Sequence, residues 1–258
     1  MSSRPIPHSR IFVTGFARGL SVIEAFGAGH KSLSVADAAQ RTGLDRAVVR
    51  RLLLTLAGLG YARIDGKQFE LTGKVLRLGY SYLAASALDV TLQPYLAELS
   101  AEIGEAVSVS VLDGNDVVFV ARSEQPGNRV AFVVSMGMRL PAYASASGRV
   151  LMSALADSEV SARLRGTRRD KRTPATVVGE RELVKLVRQA RSDGHAVSWE
   201  ELEEGLVGIA VPLGNRGGTM VASLNTNTNA VRAQARQRVQ RMLPRLKAMA
   251  RRVAEVLP

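Results

Sequence analysis

Residues 34–71 read SVADAAQRTGLDRAVVRRLLLTLAGLGYARIDGKQFEL, and this stretch decides the fold of the N-terminal third. Ser34 stands three residues before Asp37, so the two can cap each other at a helix start. Gly43, in Thr42-Gly43-Leu44, predicts the stop, because glycine enters the left-handed region past a helix end without steric penalty. Asp45 can cap the next helix, DRAVVRRLLLTLAGLG, which Gly58 and Gly60 end. Within it Val49, Leu52, Leu53 and Leu56 repeat at i, i+3, i+4 and i+7, the spacing of one buried face. Arg46 and Arg50 lie four apart on another face, with Ala47 and Arg51 beside them. Asp65-Gly66 between alternating apolar residues then predicts a hairpin, Tyr61 to Ile64 and Lys67 to Leu71. Helix, tight turn, helix and hairpin in that order make a winged helix-turn-helix.

A helix with an apolar back and arginines near its N-terminal end meets the requirements of major-groove reading. One bidentate Arg–guanine contact discriminates by ~1–3 kcal/mol. For the arginines alone, a solvated surface helix competes with this reading; the turn and wing beside them favour double-stranded operator DNA. The candidate contacts are Ser34, Thr42, Asp45, Arg46, Ala47, Arg50 and Arg51, with Arg63, Lys67 and Gln68 near the wing tip. The wing residues would hold phosphate or the minor groove and position the protein without reading sequence.

Upstream, residues 14–28 predict a helix whose Phe16, Leu20, Ile23 and Phe26 face a core. Downstream, residues 73–87 predict a linker helix capped by Thr72. Its apolar Val75, Leu76, Leu78, Tyr82 and Leu83 make it a candidate dimer contact, since such proteins usually bind paired half-sites as dimers. Residues 1–11, with Pro5 and Pro7, are expected to be disordered. The expected division is therefore a tail at 1–11, the DNA-binding domain at 12–72, the linker helix at 73–87 and a second domain at 88–258.

The chain has 258 residues, 46% of them hydrophobic, enough for one large or two ordinary domains. The net charge is +12, so a polyanionic partner is in character. Up to residue 90 there are 12 Lys and Arg against 6 Asp and Glu, and beyond it 23 against 17, so basic charge is concentrated in the N-terminal third. The absence of cysteine excludes disulfides, thiol catalysis and Cys-ligated zinc, and fits a cytoplasmic protein. No apolar run approaches the roughly 18 residues of a membrane span, and the first twelve residues lack a signal-peptide core, so no membrane partner is expected.

From Leu88 the pattern alternates helix and strand. Residues 88–104 and 145–156, the segment 180–192 and a long stretch from Val231 are helical. Residues 107–113 and 116–124, joined by Gly114-Asn115, read as a hairpin; residues 128–134, 195–201, 205–215 and 220–227 add strands. The long helix turns Val239, Met242, Leu246, Met249 and Val253 inward, and Pro244 should kink it. The fold class is α+β, an antiparallel sheet with helices packed on it.

This second domain shows no catalytic motif. It has neither a Walker A loop nor a dinucleotide fingerprint. His8, His30 and His195 are too few and too scattered for a metal site or triad, so neither metal nor cofactor is expected. Glu200, Glu201, Glu203 and Glu204 read as a solvated cap or loop in preference to a cation site. The basic run from Arg163 to Arg172 reads as a mobile surface segment in preference to a DNA contact. On the alternating strand 223–227, Ser223, Asn225 and Asn227 share one face. Amides turned inward need partners, which a small polar ligand, one another or buried water would supply.

Four segments in order, ARGLSVIEAF, GLDRAVVRRLLLTLAGLGY, LPAYASASGRVLMSAL and EELEEGLVGIAVPL, carry a resemblance to the IclR-type bacterial regulators over residues 10–258. RLPAYASASGRVL, with Val-Ala-Arg at 120–122, resembles the branch that regulates protocatechuate and 4-hydroxybenzoate degradation. The resemblance implies a winged helix-turn-helix, a GAF-like effector domain, homodimers or dimers of dimers, and no catalysis. It places an effector pocket at Ala144, Ser145, Ala146 and Ser147, at Ser198 to Gly208 with Leu206 and Gly208, and on the last strand at Asn225 and Asn227.

A small organic acid there, such as an aromatic carboxylate, needs a cation, for which Arg122, Arg129 and Arg149 are candidates and Arg122 is preferred. Tyr143 or Trp199 could stack on its ring. The expected function is a sequence-specific transcriptional regulator controlled by that effector, with RNA polymerase as a further candidate partner. Two alternatives stand beside it. One is a small-molecule-processing enzyme with an appended DNA-binding module, built on His195 with Glu200 or Glu201. The other is a nonspecific DNA-compacting protein.

Overall fold

The computed structural model describes residues 12–27, 30–79, 88–123, 134–229 and 232–257. The expected tail 1–11, the second half of the expected linker helix (80–87) and nearly all of the expected strand 128–134 lie outside the described residues. The chain divides into two compact units, Met1–Tyr82 and Leu83–Pro258.

The first unit runs α1 (Thr14–Glu24), β1 (Ser32–Ser34), α2 (Val35–Thr42), α3 (Arg46–Gly58), β2 (Ala62–Asp65) and β3 (Gln68–Leu71). Asp37 N–H donates to Ser34 Oγ at 3.2 Å and Ser34 N–H donates to the Asp37 carboxylate at 3.0 Å, a reciprocal cap. Gly43 ends α2 at φ 68°, and Ala47 N–H donates to the Asp45 carboxylate at 2.7 Å to start α3. Val22, Leu33, Ala38, Val49, Leu53, Leu56 and Phe69 form the core. β1 was not legible as a strand, since three residues cannot display alternation; it pairs with β3 from Ser32↔Glu70 to Ser34↔Gln68.

Two expectations about this unit are corrected. Phe16 and Leu20 do not face the core: they are 69% and 40% exposed, while Val22 and Ala25 are buried. At about 100° per residue, Phe16 and Leu20 fall more than a quarter-turn from Val22, so their mutual spacing was helical but their face was the outer one. The wing's loop is Gly66-Lys67, one residue beyond the expected tip, with Asp65↔Gln68 as the last pair. Gly66 takes the first loop position at φ 59°, where a side chain would be strained. After the wing, Thr72 caps a 3-10 turn, Gly73–Val75, that leads into helical residues 76–79.

The Ser34 cap yields a direct test. The hydrogen bond from Ser34 holds the Asp37 carboxyl below its ordinary value. A carboxylate shifted down stabilises the fold above the usual carboxylate range and loses that contribution as pH falls through its lowered value. Ser34→Ala is expected to cost about 1 kcal/mol near neutral pH, read by urea denaturation. That difference should shrink under acid conditions that protonate Asp37; a cost independent of pH would show that the reciprocal cap does not form.

The second unit runs α4 (Leu88–Ile103), β4 (Val107–Asp113), β5 (Asp116–Ser123), β6 (Arg139–Pro141), α5 (Ala146–Met152), α6 (Asp157–Arg165), α7 (Glu180–Asp193), β7 (Ala196–Trp199), β8 (Leu206–Gly214), β9 (Met220–Asn229) and α8 (Arg232–Ala254). The strands form one antiparallel sheet in the order β6-β5-β4-β9-β8-β7. This is the expected α+β architecture. On one face Val107, Val109, Ile209, Val211 and Leu224 meet Leu92, Leu96 and Leu99 of α4 and Val239, Met242, Leu246, Met249 and Val253 of α8. Each fully buried leucine or valine there contributes roughly 1.5–3 kcal/mol. The other face carries α5, and a candidate pocket lies under that helix.

The expected basic loop is also corrected. Arg163 and Arg165 end helix α6, and Arg169 donates to the carbonyls of Leu164, Thr167 and Val178. Arginines just past a helix end satisfy carbonyls that the helix leaves open, so this run is fastened to the surface. No described helix is long and apolar enough to cross a membrane.

Candidate functional site

Two sites arise, one in each unit. In the first, Arg46, Ala47, Arg50 and Arg51 are all exposed in the N-terminal half of α3; Ala47 and Arg51 lie opposite Val49, Leu53 and Leu56, while Arg46 and Arg50 flank that buried stripe at the helix's N-terminal end. Neighbours four apart on a helix stand one above the other, so Arg46 and Arg50 present two guanidinium groups in one direction. Neither they nor Arg51 have a side-chain partner in the described structure. Their donors are therefore available to base edges or phosphate.

The remaining candidates in this unit divide by what already engages them. Ser34 and Asp45 cap helices, and Thr42 Oγ1 donates to Ala38 O at 2.7 Å. Lys67 is exposed in the wing loop, while Gln68 is half-buried opposite Asp65. Arg63 is placed mid-strand, not at the tip, and pairs with Glu70 directly across the hairpin. This hydrogen-bonded partner raises the Arg63 guanidinium further and holds the Glu70 carboxyl below its ordinary value. Its charge is thus partly compensated, whereas Lys67 at the tip has no side-chain partner among the described residues.

In the second unit, α5 crosses the sheet and leaves a narrow pocket with an open mouth. Val117 and Phe119 of β5, Leu140 of β6, and Leu202 and Leu206 at the β7–β8 connection make its apolar walls. Ser145, Ala146 and Ser147 enter from the start of α5, and Ser198, Gly208, Asn225 and Asn227 from the sheet. Cross-strand pairing explains the convergence: Ser198 faces Gly208, Gly208 faces Asn227, and Ala210 faces Asn225, so all share one face. Glycine at 208 keeps the floor open. A Cβ there would lie 2.7 Å from Ser198 Oγ and 3.2 Å from Asn227 Oδ1.

The hydrogen-bond inventory shows what the space can recognise. Asn225 Nδ2 donates to Ser110 Oγ at 3.0 Å and to Ser223 O at 3.4 Å. The Ser223 carbonyl can only accept, which fixes the NH2 end of the amide and leaves Oδ1 as an acceptor. Among the described residues no group donates to that oxygen, and the side chains of Ser147, Ser198 and Asn227 have no hydrogen-bond partner there. None of the described residues that line it is charged. Hydroxyl and amide groups between apolar walls suit a small flat molecule bearing hydroxyl groups.

Other candidates fall elsewhere. Tyr143 is buried beneath the Ala142–Ala144 turn with its hydroxyl donating to Asp170 O at 2.7 Å, and burial pushes the phenol above its ordinary value. It lines a separate cavity beside Arg163 and Leu164. Trp199 follows Ser198 on β7 and so points to the opposite side, 39% exposed. Neither ring can stack in the pocket. Arg122 faces the same side as Asn225, since both pair with Ser108, but it stands two strands away and donates to Ser108 Oγ at 3.4 Å. Arg129 lies outside the described residues.

The Glu200–Glu204 segment is not simply solvated. Glu201 is buried and accepts from Arg149, which is 2% exposed. Arg149 is therefore committed behind the pocket and is no free partner for a carboxylate. Sequence reading missed Val117, Phe119, Leu140 and Ile209, while Leu202 falls within the stretch Ser198 to Gly208. The strand alternation placed Val117 and Phe119 on one face, but only the strand order put that face under α5.

Residues 80–255 match the family model described as bacterial transcriptional regulator IclR C-terminal, and residues 16–66 match the IclR helix-turn-helix domain. The chain is 39% identical over 240 residues to the Pca regulon regulatory protein of Pseudomonas putida, covering 93% of this chain and 82% of that one. It is 38% identical over 241 residues to the p-hydroxybenzoate hydroxylase transcriptional activator of Acinetobacter baylyi, covering 92% and 89%. The inducer-binding domain of a double mutant of the transcription factor PobR from Acinetobacter, in complex with 3-hydroxybenzoic acid, superposes with a TM-score of 0.60 and 30% identity, over 64% of this chain and 97% of that one.

Proposed function

The chain belongs to the IclR family of bacterial transcriptional regulators, and on that premise we propose that a hydroxylated aromatic acid, bound under α5, controls how α3 engages operator DNA. The observation that carries this reading is the set of unpartnered polar groups between apolar walls, above all the Asn225 oxygen, which only accepts. A phenolic hydroxyl supplies the donor that this oxygen lacks. The names of two relatives, one concerned with p-hydroxybenzoate hydroxylase and one crystallised with 3-hydroxybenzoic acid, support the same ligand class.

The protein would act in the cytoplasm as a homodimer or dimer of dimers, placing two α3 helices on paired half-sites. An effector shifts DNA affinity only by its differential affinity for the two states, and the coupling is reciprocal. RNA polymerase would be a further partner where the protein activates. The enzyme reading loses its acid–base sketch: His195 Nδ1 contacts Asp193 O, Glu200 accepts from Gly205 N–H, and Glu201 is held by Arg149.

Calorimetric titration with 4-hydroxybenzoate, 3-hydroxybenzoate, protocatechuate and unsubstituted benzoate tests the assignment. The hydroxylated acids should bind and benzoate should bind more weakly. Asn225→Ala should weaken them by up to about tenfold, the value of one neutral hydrogen bond. No heat with any of these acids, or heat unaltered by Asn225→Ala, overturns the reading.

A further inference from the structure

A buried ion pair stands directly behind the pocket. Arg149 Nη2 donates to Glu201 Oε2 at 2.5 Å, and both side chains are almost fully enclosed. Arg149 lies on α5 one turn beyond Ala146, and Glu201 lies in the β7–β8 connection between Ser198 and Leu206. The pair thus joins two segments that both line the pocket, α5 through Ala146 and Ser147 and the connection through Leu202 and Leu206.

Further bonds run to the same connection. The Glu201 carboxylate accepts from Val177 N–H at 3.3 Å, and the Glu201 carbonyl accepts from Thr176 Oγ1 at 2.6 Å. Thr173 Oγ1 donates to Glu200 O at 2.6 Å, and Arg172 Nε donates to Leu202 O at 3.2 Å. Glu200 has φ 54°, the single left-handed conformation of a non-glycine residue among the described residues. Such a conformation persists where surrounding contacts over-determine it.

As a stabiliser the pair is incomplete. Arg149 Nε is buried and has no hydrogen-bond partner. A buried ion pair generally contributes no more to stability than apolar residues of similar size, and a half-satisfied one contributes less. What it supplies is a fixed separation and direction between α5 and the connection. We propose that Arg149 and Glu201 are positioning residues: a clasp that sets the width of the effector pocket by tying the α5 wall to the Leu202–Leu206 wall. The inference rests on the pocket proposed above as the effector site, but its structural half can be tested without any effector.

Three full-length proteins suffice: wild type, Glu201→Gln, and the double variant Arg149→Met/Glu201→Leu. In Glu201→Gln without effector, amides of residues 200–206 and Val177 should exchange with solvent about tenfold faster than in wild type, while α4 and α8 are unchanged. The double variant, with its apolar pair, should melt within a few degrees of wild type and bind operator as wild type does in the absence of effector. Its affinity for 4-hydroxybenzoate should fall about tenfold or more. That split between stability and ligand affinity is one that a purely structural pair would not produce.

Unchanged exchange at 200–206 in Glu201→Gln overturns the clasp, as does unchanged 4-hydroxybenzoate affinity in both variants. Should wild type bind none of the aromatic acids, the effector assignment falls while the exchange comparison still decides the clasp. Should the double variant fail to fold, Glu201→Gln, which keeps the side-chain volume, carries both measurements.

Discussion

Arg46→Ala/Arg50→Ala is expected to bind its operator between about 30-fold and 10⁴-fold more weakly than wild type, with an unchanged melting temperature. The range follows from losing two bidentate contacts of ~1–3 kcal/mol each. Stability should not move, because both arginines are exposed and have no partner within the described structure. They stand in the first turns of α3, beside the stripe of Val49, Leu53 and Leu56 that enters the core, and remain exposed there. Fluorescence anisotropy over a salt series separates two modes of contact. If an arginine reads a base, the loss is confined to the specific site; if it holds a phosphate, affinity falls for all DNA and the salt slope drops by about one. Wild-type operator affinity in the folded double variant would remove α3 as the reading element.

Gly148→Ala is expected to lower stability by about 3 kcal/mol or more, a fall of roughly 10 °C in melting temperature for a domain of this size. A Cβ at position 148 would stand 2.1 Å from Ala142 O and 2.4 Å from Ala142 Cα. Those are backbone atoms, so no side-chain rotation can relieve the contact. Relief would require α5 to withdraw from the Ala142–Ala144 turn, uncovering Tyr143, Ala144, Leu151 and Met152. Because α5 also carries Ala146 and Ser147, aromatic-acid binding should be lost together with stability. A melting temperature equal to wild type would mean that α5 does not approach the turn so closely. Gly208 differs in kind: a Cβ there meets first the side-chain ends of Ser198 and Asn227, which narrows a pocket but does not separate backbones.

These two glycines show why the DNA-reading unit was more legible than the pocket. Gly43, Ser34 with Asp37, and Asp45 act on residues within four positions of themselves, so their roles are visible in the order of residues. The same holds for the inner face of α3. Gly148 and Gly208 act on residues brought near by α5 and by strand pairing, and nothing in SASGRVL or GLVGIA announces the neighbour. Phe16 and Leu20 failed for a related reason. Helical spacing shows that residues share a face, but not which way the face turns when Val22 and Ala25 are also apolar.

The sequence by itself determined the winged helix-turn-helix, the α+β class of the second unit and the segments that meet at its pocket. Only the tertiary structure decided which polar groups there are free. Asn225 spends its amide donors on Ser110, 115 residues away, and on Ser223, leaving one acceptor. Arg149, a plausible partner for a carboxylate by type, is spent on Glu201, 52 residues away. Burial raises the penalty for an unpaired charge or amide, so each such group takes whatever partner the fold brings within about 3 Å. That partner is set by the sheet's strand order and by the approach of α5, distances that local sequence does not encode.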